Sequence, residues 1–154
     1  MESSLQFRKA AVLGATGPTG IHLVPRLRAS VATIRVVSRS SGNLDRAFAR
    51  VDVERFAADV LEEGAALHAI EGCDLVFDCI GLPSELMDRH PKVAENIAAA
   101  VTKTGARCVQ ISSYWAYLPI VRLPLDESHP REGGPPWVRY RRAAEDVLQS
   151  AGAA

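Results

Sequence analysis

Five short runs in which apolar residues crowd together punctuate the chain: Lys9–Leu13, Thr33–Ser38, Val53–Ala57, Leu75–Ile80 and Arg107–Ile111. Runs of this length between turn residues have the pattern of strands buried in a parallel sheet. The segments between them have helical composition. A first helix is predicted from Pro18 to about Ala29, opened by a proline in the first turn that gives up no hydrogen bond. Pro25 falls inside that helix and is expected to kink or shorten it. Leu61–Ile70 reads as the helix after the third run. Pro91–Lys103 reads as the helix after the fourth, with Val93, Ile97, Ala100 and Val101 on one face. Tyr114–Pro136 is rich in proline and glycine without a sustained period, which predicts a long functional loop or a lid, and Trp137–Ala151 returns to helical composition. Alternating strands and helices predict an α/β fold: a doubly wound parallel sheet of about five strands, covered on both faces.

Length and composition narrow this picture. The 154 residues fit one domain, and 47% hydrophobic with 23% charged residues is ordinary globular composition. Eighteen basic residues balance eighteen acidic ones, so nothing drives general attraction to nucleic acid or to an anionic membrane. No apolar run is long enough to span a bilayer. Met1–Phe7 lacks the basic start and apolar core of a secretory signal, so a cytoplasmic protein is expected. Cys73, Cys79 and Cys108 are odd in number and form no Cys-x-x-Cys pair, which argues against a disulfide framework or a zinc site. Cys79 and Cys108 lie in apolar runs and are expected in the core. The four histidines do not cluster, and no metal site is predicted.

The first run passes directly into Gly14-Ala15-Thr16-Gly17-Pro18-Thr19-Gly20 and then into Ile21-His22-Leu23-Val24. A strand, a glycine turn and a helix in that order let a pyrophosphate sit against backbone N–H groups at the helix N-terminus. Thr16, Pro18, Thr19 and Ile21 are therefore expected beside the three glycines in a dinucleotide site. The spacing is Gly-x-x-Gly-x-x-Gly, one residue wider in its first half than the Gly-x-Gly-x-x-Gly of many dehydrogenases. The second run ends in Ser38-Arg39 and carries no acid there. A carboxylate at that point would suit the ribose hydroxyls of NAD, whereas an arginine accommodates a 2′-phosphate, so NADP is favoured over NAD. Asp59-Val60 follows the third run and Cys79-Ile80-Gly81 closes the fourth, both at strand C-terminal ends where ligands bind in open parallel sheets. Asp59 has two readings: it accepts from the adenine amino group, or it caps the helix that follows.

Ile111-Ser112-Ser113-Tyr114-Trp115-Ala116-Tyr117 adds a strand end with two hydroxyls and an aromatic cluster. With the glycine turn, Asp59-Val60 and the strand ending at Gly81, the chain resembles the extended and atypical short-chain dehydrogenase/reductase superfamily, in its NAD-dependent epimerase/dehydratase branch. The resemblance spans nearly the whole chain and implies a Rossmann domain with Ser112 beside the cofactor. It also implies a serine at Ser113 that binds the substrate oxygen, a tyrosine acid/base, and a lysine four residues further on. Matching Glu145 to the family's acid puts Trp137 at the tyrosine position and Arg141 at the lysine position. An indole cannot exchange a proton at neutral pH. Taking Tyr140 as the base instead leaves Ala144 where the cation should stand, while Arg141 could still reach the nicotinamide ribose.

Two functions remain open at this point. One is hydride transfer on a small sugar-like or other carbonyl or hydroxyl substrate, with Ser113, Tyr140 and Arg141 as catalytic candidates. A flavin or NADPH reductase of the atypical branch, in which the cofactor does the chemistry and no tyrosine base is needed, is the enzymatic alternative to it. The other is an NADP-binding sensor or regulatory module without turnover, or a truncated remnant. A single Rossmann domain over 1–154, without the family's C-terminal substrate region, is expected. The Arg107–Ile111 strand would then be an open edge, which predicts a homo-oligomer.

Overall fold

The computed structural model describes residues 7–152. The segment on which the missing secretory signal was read lies, but for Phe7, outside the described residues. Five strands form one parallel sheet: β1 (Phe7–Leu13), β2 (Val31–Ser38), β3 (Glu54–Ala57), β4 (Leu75–Asp78) and β5 (Arg107–Gln110), in the order β3-β2-β1-β4-β5. β1 is central because its side chains are small and apolar enough to be covered on both faces; Ala10, Ala11, Val12 and Leu13 are all fully buried. Val12 is paired with Val36 on one side and Phe77 on the other.

Successive side chains of a strand point to opposite faces, so the sheet separates two cores. Ala11, Leu13 and Val76 pack with Ile70, Ile97, Val101 and Leu148 from α3 (Ala65–Ile70), α4 (His90–Thr104) and α5 (Pro136–Ser150). Ala10, Val12 and Val36 pack with Val24 of α1 (Pro18–Leu27), Leu44 of α2 (Ser41–Ala47) and Phe48. Each fully buried side chain of the size of Leu13 or Phe48 contributes about 2 kcal/mol.

The α/β alternation and the five strands agree with the sequence pattern; several boundaries differ for physical reasons. The helix expected over Leu61–Ile70 begins only at Ala65, because Gly64 takes a left-handed φ of 75° and Asp59 accepts the Leu61 N–H at 3.0 Å to hold a turn ahead of it. α1 runs through Pro25 and stops at Leu27, short of Ala29. α2 lies in the segment between the second and third runs, for which the sequence suggests helical composition but no bounds; Ser40 starts it by accepting the Asn43 N–H at 3.2 Å. Two 3₁₀ turns, Ser84–Arg89 and Tyr114–Tyr117, were unpredicted. Cys108 is buried as expected, whereas Cys79 is only half-buried, because it lies just past β4 where the sheet opens.

The irregular segment between Tyr117 and α5 is tied to α5 by Arg131, which pairs with Glu145 and Asp146, and by Arg142. Arg142 is buried in α5 and donates to the carbonyls of Ala116 at 2.6 Å, Gly133 at 2.7 Å and Leu118. β5 and β3 are the two edges of the sheet. Among the described residues no helix is long and apolar enough to cross a membrane, and no three His, Cys, Asp or Glu side chains group as metal ligands.

Candidate functional site

The turn after β1 is built by contacts that exclude side chains. Gly14 has φ 71°, and a Cβ there would lie 2.8 Å from the Cys79 carbonyl oxygen. A Cβ on Gly20 would lie 2.6 Å from the Ala15 Cα, so this glycine lets α1 close onto the turn. Gly17 differs. Its Cβ would meet only the Gly14 carbonyl oxygen, at 3.2 Å, and its free side faces a cleft. Gly17 also caps α1 without a side-chain bond, and no acid occupies the first turn. The N–H groups of Thr19 and Gly20 there have no intrahelical acceptor, which leaves the positive end of the helix open to an anion.

The cleft has a volume of about 740 Å³ and follows the C-terminal ends of all five strands. Gly14, Thr16, Gly17, Pro18 and Thr19 form its middle. On the β2 and β3 side lie Ser38, Arg39, Asp59 and Val60, with the hydroxyls of Thr16 and Ser38 3.1 Å apart. On the β4 and β5 side lie Cys79, Ile80, Gly81 and Ser112, with Trp115 and Arg141 beyond them. The structure therefore gathers most of the expected cofactor residues into one space. Gly20 is buried behind the turn and Ile21 is exposed on α1, so neither is part of the lining.

At the β5 end Arg141 donates to the Ile111 carbonyl at 2.7 Å and to the Nδ1 of His90 at 3.3 Å, while its Nε is buried without a partner. A guanidinium only donates, so His90 must present a bare Nδ1. Burial, helped by the Arg141 charge, pulls the His90 pKa down to about 4. Trp115 packs edge-on against Trp137 with ring centroids 5.0 Å apart. Trp137 and Arg141 are one helical turn apart and share the face of α5 turned to the site; Tyr140 is rotated about 100° away.

Two of the catalytic candidates stand outside the cleft lining. Tyr140 is exposed on α5 and does not line the cleft. Ser113 also stands outside it: its Oγ accepts the Trp115 N–H at 3.2 Å to start a 3₁₀ turn, and it borders a neighbouring cavity of about 470 Å³. The Ser112 hydroxyl donates to Glu145, which Arg131 also grips at 2.7 Å. Cys79 is no alternative base, since burial and the adjacent Asp78 push its thiol up to about 12. Asp78 itself is buried, accepts the Ile80 N–H at 3.0 Å and has its pKa raised by desolvation.

His90 went unnoticed in the sequence because it was read as an isolated histidine before Pro91. The available signal was its helical spacing with the buried Val93 and Ile97, which puts it on the apolar face of α4. It has a measurable consequence. A histidine held neutral in the folded state, against 6.5 unfolded, costs stability as pH falls from about 6.5 to about 4, by about 3 kcal/mol in all. The raised pKa of Asp78 acts in the opposite direction, so the informative quantity is a difference between proteins. Denaturant unfolding from pH 7 to pH 4 is expected to show a shallower loss in His90→Asn than in wild type; equal slopes would contradict the neutral histidine.

A helix N-terminus free of acids, a glycine that opens onto it, flanking arginines and a cleft along the strand ends fit a dinucleotide. The family model described as NAD(P)H-binding matches residues 14–154. The chain belongs to the NAD(P)H-binding family. No curated protein matches it. Among solved structures, the *Bordetella bronchiseptica* enzyme WbmG in complex with NAD shares the fold with a TM-score of 0.82 at 15% identity, covering 97% of this chain and 52% of that one. The UDP-Glc/GlcNAc 4-epimerase of *Campylobacter jejuni* gives 0.80 at 18%, covering 94% and 49%. A short-chain dehydrogenase/reductase superfamily protein from *Agrobacterium tumefaciens* with bound NAD gives 0.76 at 22%, covering 93% and 44%. This family member thus has the fold of short-chain dehydrogenase/reductase proteins and spans about half the length of these structures.

Proposed function

We propose that this NAD(P)-binding, oxidoreductase-like protein takes NADP in preference to NAD and serves hydride transfer on a small carbonyl or hydroxyl substrate, sugar-like compounds included. The observation that carries the reading is the single cleft that joins the acid-free α1 N-terminus to Arg39 on one side and Arg141 on the other. The N–H of Thr19 at the α1 N-terminus would hold the pyrophosphate, Arg39 the 2′-phosphate and Arg141 the nicotinamide ribose. A bound nicotinamide supplies or accepts the hydride. The β5 end of the cleft offers indole, hydroxyl and guanidinium groups and no side chain that exchanges a proton near neutral pH, so the proton is taken from water when a carbonyl is reduced and given to water when a hydroxyl is oxidised.

Tyr140, turned away from the cleft, favours a second reading: an NADP-binding sensor without turnover. Oxidation of NADPH across a panel of carbonyl compounds separates the two, and binding without turnover supports the sensor. Calorimetric titration tests the cofactor assignment common to both. NADPH is expected to bind tighter than NADH, and Arg39→Ala is expected to cost about tenfold in NADPH affinity through lost charge-assisted bonds while leaving NADH unchanged. Equal affinities in wild type would defeat the NADP assignment.

A further inference from the structure

The β5 end of the cleft depends on a residue that does not line it. Arg141 carries five N–H donors on a flexible stem, and two acceptors fix its direction: the Ile111 carbonyl at the end of β5 and the His90 Nδ1 at the start of α4. These acceptors belong to different elements, so they pin the guanidinium from two sides. Its Nε remains buried and unpartnered. His90 is 5% exposed and stands at the N-terminus of α4, just ahead of Pro91, whose ring narrows the backbone freedom at that point.

We infer that His90 is a positioning residue: through its bare Nδ1 it holds the Arg141 guanidinium toward the β5 half of the cleft, where the nicotinamide half of the dinucleotide is received. The inference rests on the cofactor assignment above and adds a residue outside the cleft lining to it. A histidine serves here because the neutral ring offers an acceptor without adding charge. A carboxylate at the same place would form an ion pair and draw the guanidinium out of the cleft.

The two sides of the cleft make the inference testable with whole and half ligands. NADPH reaches along the whole cleft, whereas 2′,5′-ADP carries only the adenosine half, on the Arg39 side of β1. His90→Leu removes the acceptor at similar volume. His90→Asn retains one, since its Oδ1 falls near the place of Nδ1. In calorimetric titrations, His90→Leu is expected to lose about tenfold in NADPH affinity, to keep its 2′,5′-ADP affinity, and to be rescued by His90→Asn. In an Arg141→Gln background, His90→Leu is expected to cost nothing further, because His90 acts through Arg141.

Unchanged NADPH binding in His90→Leu would overturn the inference, as would an equal loss for both ligands or an additive loss in the double variant. If His90→Leu does not fold, His90→Gln, whose acceptor falls near the place of Nε2 instead of Nδ1, decides the matter in wild-type and Arg141→Gln backgrounds: a tenfold loss of NADPH affinity in the first and none in the second supports the inference, and no loss in the first or an equal loss in both overturns it. Failure of the underlying cofactor assignment looks different. Wild type would then bind neither NADPH nor 2′,5′-ADP, and the inference would fall with it.

Discussion

A Gly17→Val protein is expected to melt within a few degrees of wild type yet bind NADPH about a hundredfold more weakly. The backbone at Gly17 has φ −77° and ψ 171°, an extended conformation that suits valine and also the residue before a proline. The added Cβ meets only one carbonyl oxygen at 3.2 Å, so the fold has little to lose. Its methyl groups would project into the cleft in front of the Thr19 N–H, where the pyrophosphate is proposed to sit. Charge-assisted hydrogen bonds contribute about 1.5–3 kcal/mol each, and losing one or two accounts for the hundredfold.

Gly20→Val is the necessary contrast. Its Cβ would stand 2.6 Å from the Ala15 Cα, and backbone must move to admit it. That variant is expected to lose stability first, with a lowered melting temperature or no soluble protein. Calorimetry for binding and thermal melting for stability distinguish the two glycines. A Gly17→Val protein that binds NADPH like wild type would remove the glycine turn from the cofactor site.

Arg142→Met is expected to lower stability by about 3 kcal/mol, or roughly 10 °C in melting temperature. The substitution preserves much of the apolar stem but leaves the carbonyls of Ala116, Leu118 and Gly133 without the donors they now share. Because these carbonyls bracket the irregular segment before α5, loss of the guanidinium should also loosen that segment selectively. Limited proteolysis is expected to cut between Leu118 and Gly133 well before the rest of the chain. Arg142→Lys, with one compact ammonium, cannot reach three carbonyls at once and should recover only part of the loss. A wild-type melting curve for Arg142→Met would mean that the segment is held by other contacts.

The strands were legible because each is a short apolar block and because a strand with both faces covered tolerates little else. The glycine turn was legible too. Its residue types answer to backbone geometry within a few positions, so spacing alone carries the information. Arg39 and Asp59 followed from their places directly after strands, since strand ends define the ligand edge of a parallel sheet. The bounds of α2 were not legible because a single cap, Ser40 onto Asn43, starts a short helix with one fully buried side chain, Leu44, and no lasting period.

What the sequence left open was the assignment of directions. Ser113 and Tyr140 are plausible residue types at plausible positions, but whether a hydroxyl faces the cleft depends on which rotation of α5 the core selects. Val138, Ala144 and Leu148 are buried in the core, and their burial turns Arg141 toward the cleft and Tyr140 away from it. The partnership of His90 with Arg141 joins residues far apart in the chain, and nothing local to either one announces it. By itself the sequence determined the parallel α/β sheet, the glycine turn and the strand ends that frame the cleft, because these are set by period, glycine geometry and chain order. Only the tertiary structure decided which side chains of α4 and α5 complete the cleft, because helix rotation and long-range hydrogen bonds are settled by packing.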